Sequence, residues 1–389
     1  MKPETPNLAD KALPDASATV DVSVLSQWAL IKARFQKHRL AVIALYLISL
    51  LYFLALFAGF FAPYSQFRRA AAYSYAPPQV PQFSLQEGFF VHALKSQNDP
   101  VTLKRTYTTD PTEKVPLGFL VKGEPYRIFW VLETQRRFFG VDLEAWSEGQ
   151  TDPGSDPPSF HLLGADRYGR DILSRGLFGS RISLSIGLVS ICITFLLGSL
   201  IGGISGYMGG TIDTLIQRLI EIINSFPHLP LWMAIAAIVP SDWPPLRIYF
   251  SITIVLSFLN WTGLARVVRG KILSLREEDY AVAARLLGAS HGRVLFRHLL
   301  PGFTSHIIVT LTLSIPGMIL GETALSFLGL GLRPPIVSWG VMLQDCLNLQ
   351  VVADYPWHLM PVVTIIITVL SFNFLGDGLR DAADPYSTH

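Results

Sequence analysis

The sequence predicts an all-α membrane protein in which six helices cross a bilayer and a long external insert separates the first helix from the second. Three observations carry that expectation. Half of the 389 residues are hydrophobic and only 15% are charged, more apolar surface than a soluble chain of this length carries. Residues 41–61 contain no charge, and at about 1.5 Å per residue they reach the roughly 30 Å of a bilayer core. Lys and Arg collect at the ends of alternate apolar runs, as they do on the cytoplasmic side of membrane proteins. The net charge of +2 is too small to argue for nucleic acid as a partner. Cys192 and Cys346 form neither a disulfide framework nor a metal-ligand spacing, and read as packing residues.

Residues 1–22, rich in Pro, Ala, Asp and Thr, read as a disordered cytoplasmic tail. In the following unit, 23–63, a basic lead-in places Trp28, Ile31 and Phe35 on one helical face beside Lys32, Arg34, Lys37 and Arg39. It reads as an interfacial helix feeding the first span, 41–61. Residues 64–163 form the external insert. The core unit, 164–378, holds five further spans at 182–206, 215–239, 248–265, 306–328 and 359–375, and 379–389 form a cytoplasmic tail. Arg218, Glu221, Pro227, His228 and Pro230 interrupt the third span, so its first part is interfacial or kinked.

Orientation follows from the basic residues near span ends. The lead-in is basic, and so is the connection between spans four and five, with Arg266, Arg269, Lys271, Arg276, Arg285, Arg293 and Arg297. Both therefore lie in the cytoplasm with both chain ends, and 64–163 and 329–357 lie outside. Within the insert, FFVHALKS (89–96) and EPYRIFWVLE (124–133) are strand-like and turn-like pieces among Pro and Gly. They fit a small folded insert or an irregular loop covering the bundle. Gly198, Gly202 and Gly206 repeat at four-residue spacing and mark a helix-packing face, within the chain or against another.

The stretch 277–302, EEDYAVAARLLGASHGRVLFRHLLPG, reads as helix, sharp turn, helix. Glu277, Glu278 and Asp279 suit a helix start. Ala281, Ala283, Ala284 and Leu287 leave a narrow small-residue surface, and Gly288 suits a left-handed helix end. Ser290 can cap a second helix that Pro301 stops. Such a segment fits either a cleft on another protein or an ordinary amphipathic connector.

This stretch resembles the coupling loop of ABC-importer permeases, in which a short helix docks on an ATP-binding subunit. Tyr280, Ala283, Ala284, Gly288 and Pro301 occupy its characteristic positions, with Val282 where the motif has its glutamate. With Asp279, Ala289 and Arg293 they form the set that the resemblance implies for ATPase coupling. The stretches 161–187, 322–345 and 372–385 are similar to the C-type permeases of the oligopeptide, dipeptide and nickel branch, and the long insert departs from that branch. The resemblance implies the type I ABC-importer permease fold in the bacterial inner membrane. It also implies a heterodimer with a second permease, two ATP-binding subunits and a periplasmic solute-binding protein, with lipid around the bundle. ATP-driven closure of the ATPases would then turn the pore outward.

No phosphate-binding loop is present, since Ala265 and Ile272 flank Arg269-Gly270-Lys271 where Gly and Ser or Thr belong. ATP and magnesium are therefore expected on separate subunits, with no catalytic, cofactor or metal site in this chain. An ion-coupled secondary transporter would use Arg218, Glu221 and His306, but no inverted repeat accompanies them. A membrane enzyme would use Glu322, Asp345 and His358, whose spacing fits no metal or nucleophile motif. Peptides lead the solutes that the resemblance allows, ahead of sugar oligomers, opines and nickel.

Overall fold

The computed structural model describes residues 27–100, 105–128, 131–148, 158–240 and 242–383. Residues 1–26 and 384–389, and with them the expected N-terminal tail and most of the C-terminal one, lie outside the described residues. A short basic helix, α1 (Gln27–Lys37), leads into α2 (Arg39–Leu56) and a one-turn continuation, α3 (Ala58–Phe61). Beyond the insert run α5 (Ile172–Met208), α6 (Gly210–Ser225), α7 (His228–Ala236), α8 (Pro245–Leu275), α9 (Asp279–Leu286), α10 (His291–Arg293) and α11 (Thr304–Phe327). Short α12 (Trp339–Met342) and α13 (Leu349–Asp354) precede the last span, α14 (Met360–Ala383). Among the described residues, five helical stretches are long and apolar enough to cross a membrane, and a sixth crossing follows if α6 and α7 count as one span bent by 87°.

That bend has a local cause. Pro227 has no N–H for the helix ladder and excludes α-conformation at the residue before it. Phe226 is accordingly extended, with φ −90° and ψ 138°, and α7 starts immediately after the proline. Two other spans are longer than the apolar pattern predicts. α5 begins at Ile172, with Asp171 accepting the Ser174 N–H at 2.7 Å as its N-cap. α8 runs on to Leu275, so Arg266, Arg269 and Lys271 ride on a helix rather than on a connection.

The external insert is a folded sheet. Its strands, β1 (Gln82–Ser84), β2 (Gly88–Asn98), β3 (Arg105–Ile128) and β4 (Leu132–Val141), form an antiparallel meander followed by a short helix, α4 (Leu143–Glu148). Phe90 lies opposite Pro116, and Leu117 opposite Val141. Val91, Val115, Leu117 and Val141 bury one face against Phe160. Arg137 bolts the sheet to the bundle: its buried guanidinium donates to the Ala62 carbonyl at 2.7 Å and to the Glu124 carbonyl at 3.2 Å. Behind the sheet, Asp166 accepts from Arg170 at 2.6 Å and Arg175 at 2.5 Å, and Arg167 pairs with Asp345 at 3.2 Å.

The bundle therefore has two unlike ends. Tyr64 N–H donates to Ser174 Oγ at 3.0 Å, which puts the sheet beside the start of α5. At the other end, His38 meets Asp381 at 3.8 Å, and Arg276 donates to the Gly206 carbonyl at 3.0 Å. α1, α9 and the end of α14 share that end.

Candidate functional site

The site is built on the junction of α5, α8 and α9. Along α5, Gly198, Gly202 and Gly206 face α8 of the same chain. A Cβ at Gly198 would lie 2.8 Å from Leu264 Cβ, one at Gly206 would lie 2.7 Å from the Arg269 carbonyl oxygen, and one at Gly202 would collide with the Ala265 carbonyl. The small-residue groove is thus filled within the chain by the α8 backbone. At its lower end Arg269 grips Asp213 of α6 through two bonds of 2.5 Å, and Ser205 Oγ donates to the same carboxylate. Arg276 then donates to both the Gly206 and Tyr207 carbonyls, at 3.0 and 3.2 Å. These charge-assisted bonds fix where α8 ends and α9 begins.

α9 starts with Asp279 in its first turn, near the positive helix end. It closes in a Schellman turn: the Gly288 N–H donates to the Arg285 carbonyl and the Ala289 N–H to the Ala284 carbonyl, each at 3.0 Å. Gly288 adopts φ +83°, which only glycine takes without strain. Ala281 is buried with Val294, Leu295 and Leu299 against Leu264, Val268 and Ile272 of α8. Arg285 donates back to the Arg276 carbonyl at 2.9 Å, and Tyr207 OH meets His291 Nδ1 at 3.1 Å. The turn is therefore tied to the bundle from both sides.

The opposite face is bare. Leu286 and Leu287 are 83% and 88% exposed, and Tyr280 is 45% exposed. Asp279, Ala283, Gly288, Arg293 and Pro301 are exposed as well, while Ala284 and Ala289 are half-buried. Desolvation pushes the Tyr280 phenol up, so its hydroxyl stays a donor through the physiological range. Sequence reasoning left Leu286 out of the site and read Leu287 as part of a small-residue surface.

Two expectations about the second helix differ from the structure. Ser290 occupies the N-cap position but its side chain makes no cap bond. Pro301 does not stop the helix; a π-turn at Val294–Leu299 and a 3-10 turn at Leu300–Phe303 lead straight into α11. The missing Pro301 N–H removes one helical bond, and the chain widens ahead of it instead of breaking.

A second polar centre lies at the other end. Glu322 of α11 is fully buried and accepts from Ser338 Oγ at 2.7 Å, Ser326 Oγ at 2.8 Å and Ser183 Oγ at 3.3 Å. The Trp339 N–H donates to Ser183 Oγ at 3.2 Å. The carboxylate thereby pins the loop before α12 to α5 and α11. Of the residues considered for ion relay, Arg218 and Glu221 pair with each other at 2.7 Å on an exposed face of α6, and His306 is exposed near the start of α11. Asp345 pairs with Arg167, and His358 is buried beside the Tyr355 carbonyl.

Residues 198–387, which carry the coupling segment and the last three long spans, match the model of the binding-protein-dependent transport system inner membrane component family. Residues 26–78 match the N-terminal transmembrane domain of oligopeptide transport permease C. The dipeptide transport system permease protein of Bacillus subtilis is 39% identical over 236 residues, 60% of this chain and 72% of that protein. The chain belongs to this family. It is an integral inner-membrane permease subunit of an ABC importer, with the type I permease fold. The oligopeptide transport system permease protein of B. subtilis is 40% identical over 59% of the permease and 73% of its own length. The glutathione transport system permease protein of Pectobacterium atrosepticum is likewise 40% identical, over 59% and 74%. A solved amino acid ABC transporter covers 52% of this chain and 91% of its own at 17% identity, with a TM-score of 0.36. The sheet, residues 82–141, falls outside both family matches.

Proposed function

We propose that this permease forms half of a pore that imports small peptides, and that α9 with the turn after it docks on a separate ATP-binding subunit. The observation that carries the proposal is the contrast at the turn. Leu286, Leu287 and Tyr280 are exposed on a segment whose backbone is closed by a Schellman turn and anchored through Arg276 and Arg285. Exposed apolar side chains on a rigid support suit a protein cleft, and the support carries displacement to α5 and α8. Asp279, Tyr280, Ala283, Ala284, Gly288, Ala289 and Arg293 surround that tip, with Pro301 where the chain re-enters the bundle.

In this reading ATP and magnesium act on two ATPase subunits and this chain carries no catalytic group. A second permease completes the pore, and a periplasmic binding protein delivers solute at the sheet-bearing end. The basic α1 and the coupling tip share one end, which the excess of Lys and Arg assigns to the cytoplasm together with both termini. Peptides are the solute class because similar permeases serve dipeptide, oligopeptide and glutathione transport systems.

A cysteine at Leu287 tests the docking. In membranes holding the permease alone, a water-soluble maleimide should label Leu287→Cys quickly; addition of the ATPase subunits should protect it at least about tenfold. Equal labelling with and without ATPase would remove α9 from the interface. Orientation has its own check: from the periplasm, Ser96→Cys should react and Ser290→Cys should not.

A further inference from the structure

The start of β4 does not read as a water-facing strand end. Val131 and Leu132, side by side there, are 86% and 64% exposed, where a solvated edge carries polar side chains. The end of β3 also reaches down beside the membrane spans. Arg127 of β3 shares a cavity of about 410 Å³ with Tyr52 and Leu56 of α2 and Leu184 and Leu188 of α5. Arg181 closes the cavity, its guanidinium held by the Ala55 carbonyl at 2.7 Å and the Leu56 carbonyl at 2.9 Å. Arg127 is far less committed: its ion pair to Glu133 spans 4.0 Å between two exposed side chains.

Aromatic rings continue the apolar surface of α2 onto the sheet. Phe53 of α2 lies 5.8 Å from Phe61, Phe61 lies 5.4 Å from Phe138, and Phe138 lies 5.6 Å from Phe119. Phe53, Phe138 and Phe119 are all exposed. A surface that begins as the outside of a membrane span and ends on the sheet is continuous with the lipid boundary, where aromatic rings and arginines with apolar stems settle.

We propose that the end of β3 and the start of β4 anchor the sheet to the membrane and that the groove between Arg127 and the spans holds one phospholipid. An acyl chain lies against Tyr52, Leu184 and Leu188, and the phosphate sits at Arg127, with Arg181 adding positive charge at the mouth. Charge selects this occupant over an apolar helix, because two guanidinium groups at the edge of an apolar slot match an anionic head on a hydrocarbon tail.

The full-length permease, with Cys192 and Cys346 replaced by serine, is reconstituted in phosphatidylglycerol and phosphatidylcholine nanodiscs, where both membrane faces are open and orientation does not matter. A fluorophore at Val131→Cys should be quenched by a nitroxide carried high on the lipid acyl chain and shielded from aqueous iodide. The same label at Ser96→Cys should respond to iodide alone. Iodide quenching at position 131 without lipid quenching would overturn the proposal. So would shielding that appears only when the second permease subunit is present. Independently, Arg127→Glu should weaken retention of phosphatidylglycerol, titrated into the detergent-purified chain and read by native mass spectrometry, by about tenfold, as loss of a charge-assisted hydrogen bond dictates. Unchanged retention would remove the phosphate from Arg127.

Discussion

The seam between α5 and α8 and the turn after α9 both depend on glycine, for opposite physical reasons. At Gly202 the backbone is ordinary helix and the space is missing, since a Cβ would strike the Ala265 carbonyl. At Gly288 the space is open, with nothing among the described residues within 4 Å of a Cβ, but φ is +83°. The first glycine holds two spans together and the second shapes a surface. Damage at the seam should therefore appear as lost protein, and damage at the turn as a sound bundle with a faulty tip.

The largest effect is expected at the seam. Gly202→Leu forces a branched side chain into a backbone contact, an overpacking cost of about 1–3 kcal/mol or more. It should cut the yield of monodisperse detergent-extracted permease and lower its melting temperature; normal yield and melting would show that α5 and α8 are held elsewhere. Arg269→Ala comes next. It strips Asp213 of both guanidinium bonds, at about 1.5–3 kcal/mol, and thermal melting should record a fall smaller than that of Gly202→Leu. A fall as large as the seam variant would shift the weight of the comparison from packing to charge.

Ser338→Ala removes one of three hydroxyl donors to Glu322, worth about 1 kcal/mol. Hydrogen exchange should quicken around residues 329–343 and stay unchanged at α9; quickening at α9 would show that the two ends are coupled even at rest. The smallest effect concerns acid. The Lys95 ammonium and the Thr112 hydroxyl and N–H hold the Asp110 carboxyl well below the usual carboxylate range. A depressed carboxylate stabilises above its unfolded value and loses that contribution as pH falls toward its folded one. Sheet protection should thus be flat from pH 5 to 8, weaken slightly below about pH 4, and lose that acid step in Asp110→Asn.

Apolar length made the long spans legible, because hydrocarbon leaves the backbone few other solutions. Their ends were not, wherever charge had been neutralised at a distance. Arg175 and Arg181 hid the first turns of α5, yet one pairs with Asp166 and the other bonds the α2 carbonyls. In the insert, 89–96 reads locally as a strand and lies within β2, whereas 124–133 is no single strand and straddles the end of β3 and the start of β4. The pairing was not legible, because β2 and β4 both pair with a long β3 whose register shifts twice. At the candidate site Gly288 was legible from its place after a short helix. The Glu322 centre was not, since its hydroxyls come from positions 183, 326 and 338, which no spacing rule connects.

The central claim is that the turn after α9 docks the ATPase without holding up the bundle, and Gly288→Arg addresses it most directly. A non-glycine residue in the left-handed region costs on the order of 1 kcal/mol, too little to unfold the spans, and the open space leaves the arginine pointing at whatever docks there. The measurement pairs the amount of ATPase subunit co-purifying with the membrane-inserted variant with ATP-driven solute uptake in vesicles holding the full complex. Both should fall together while permease level and melting stay close to wild type; full ATPase recruitment with full uptake would contradict the account.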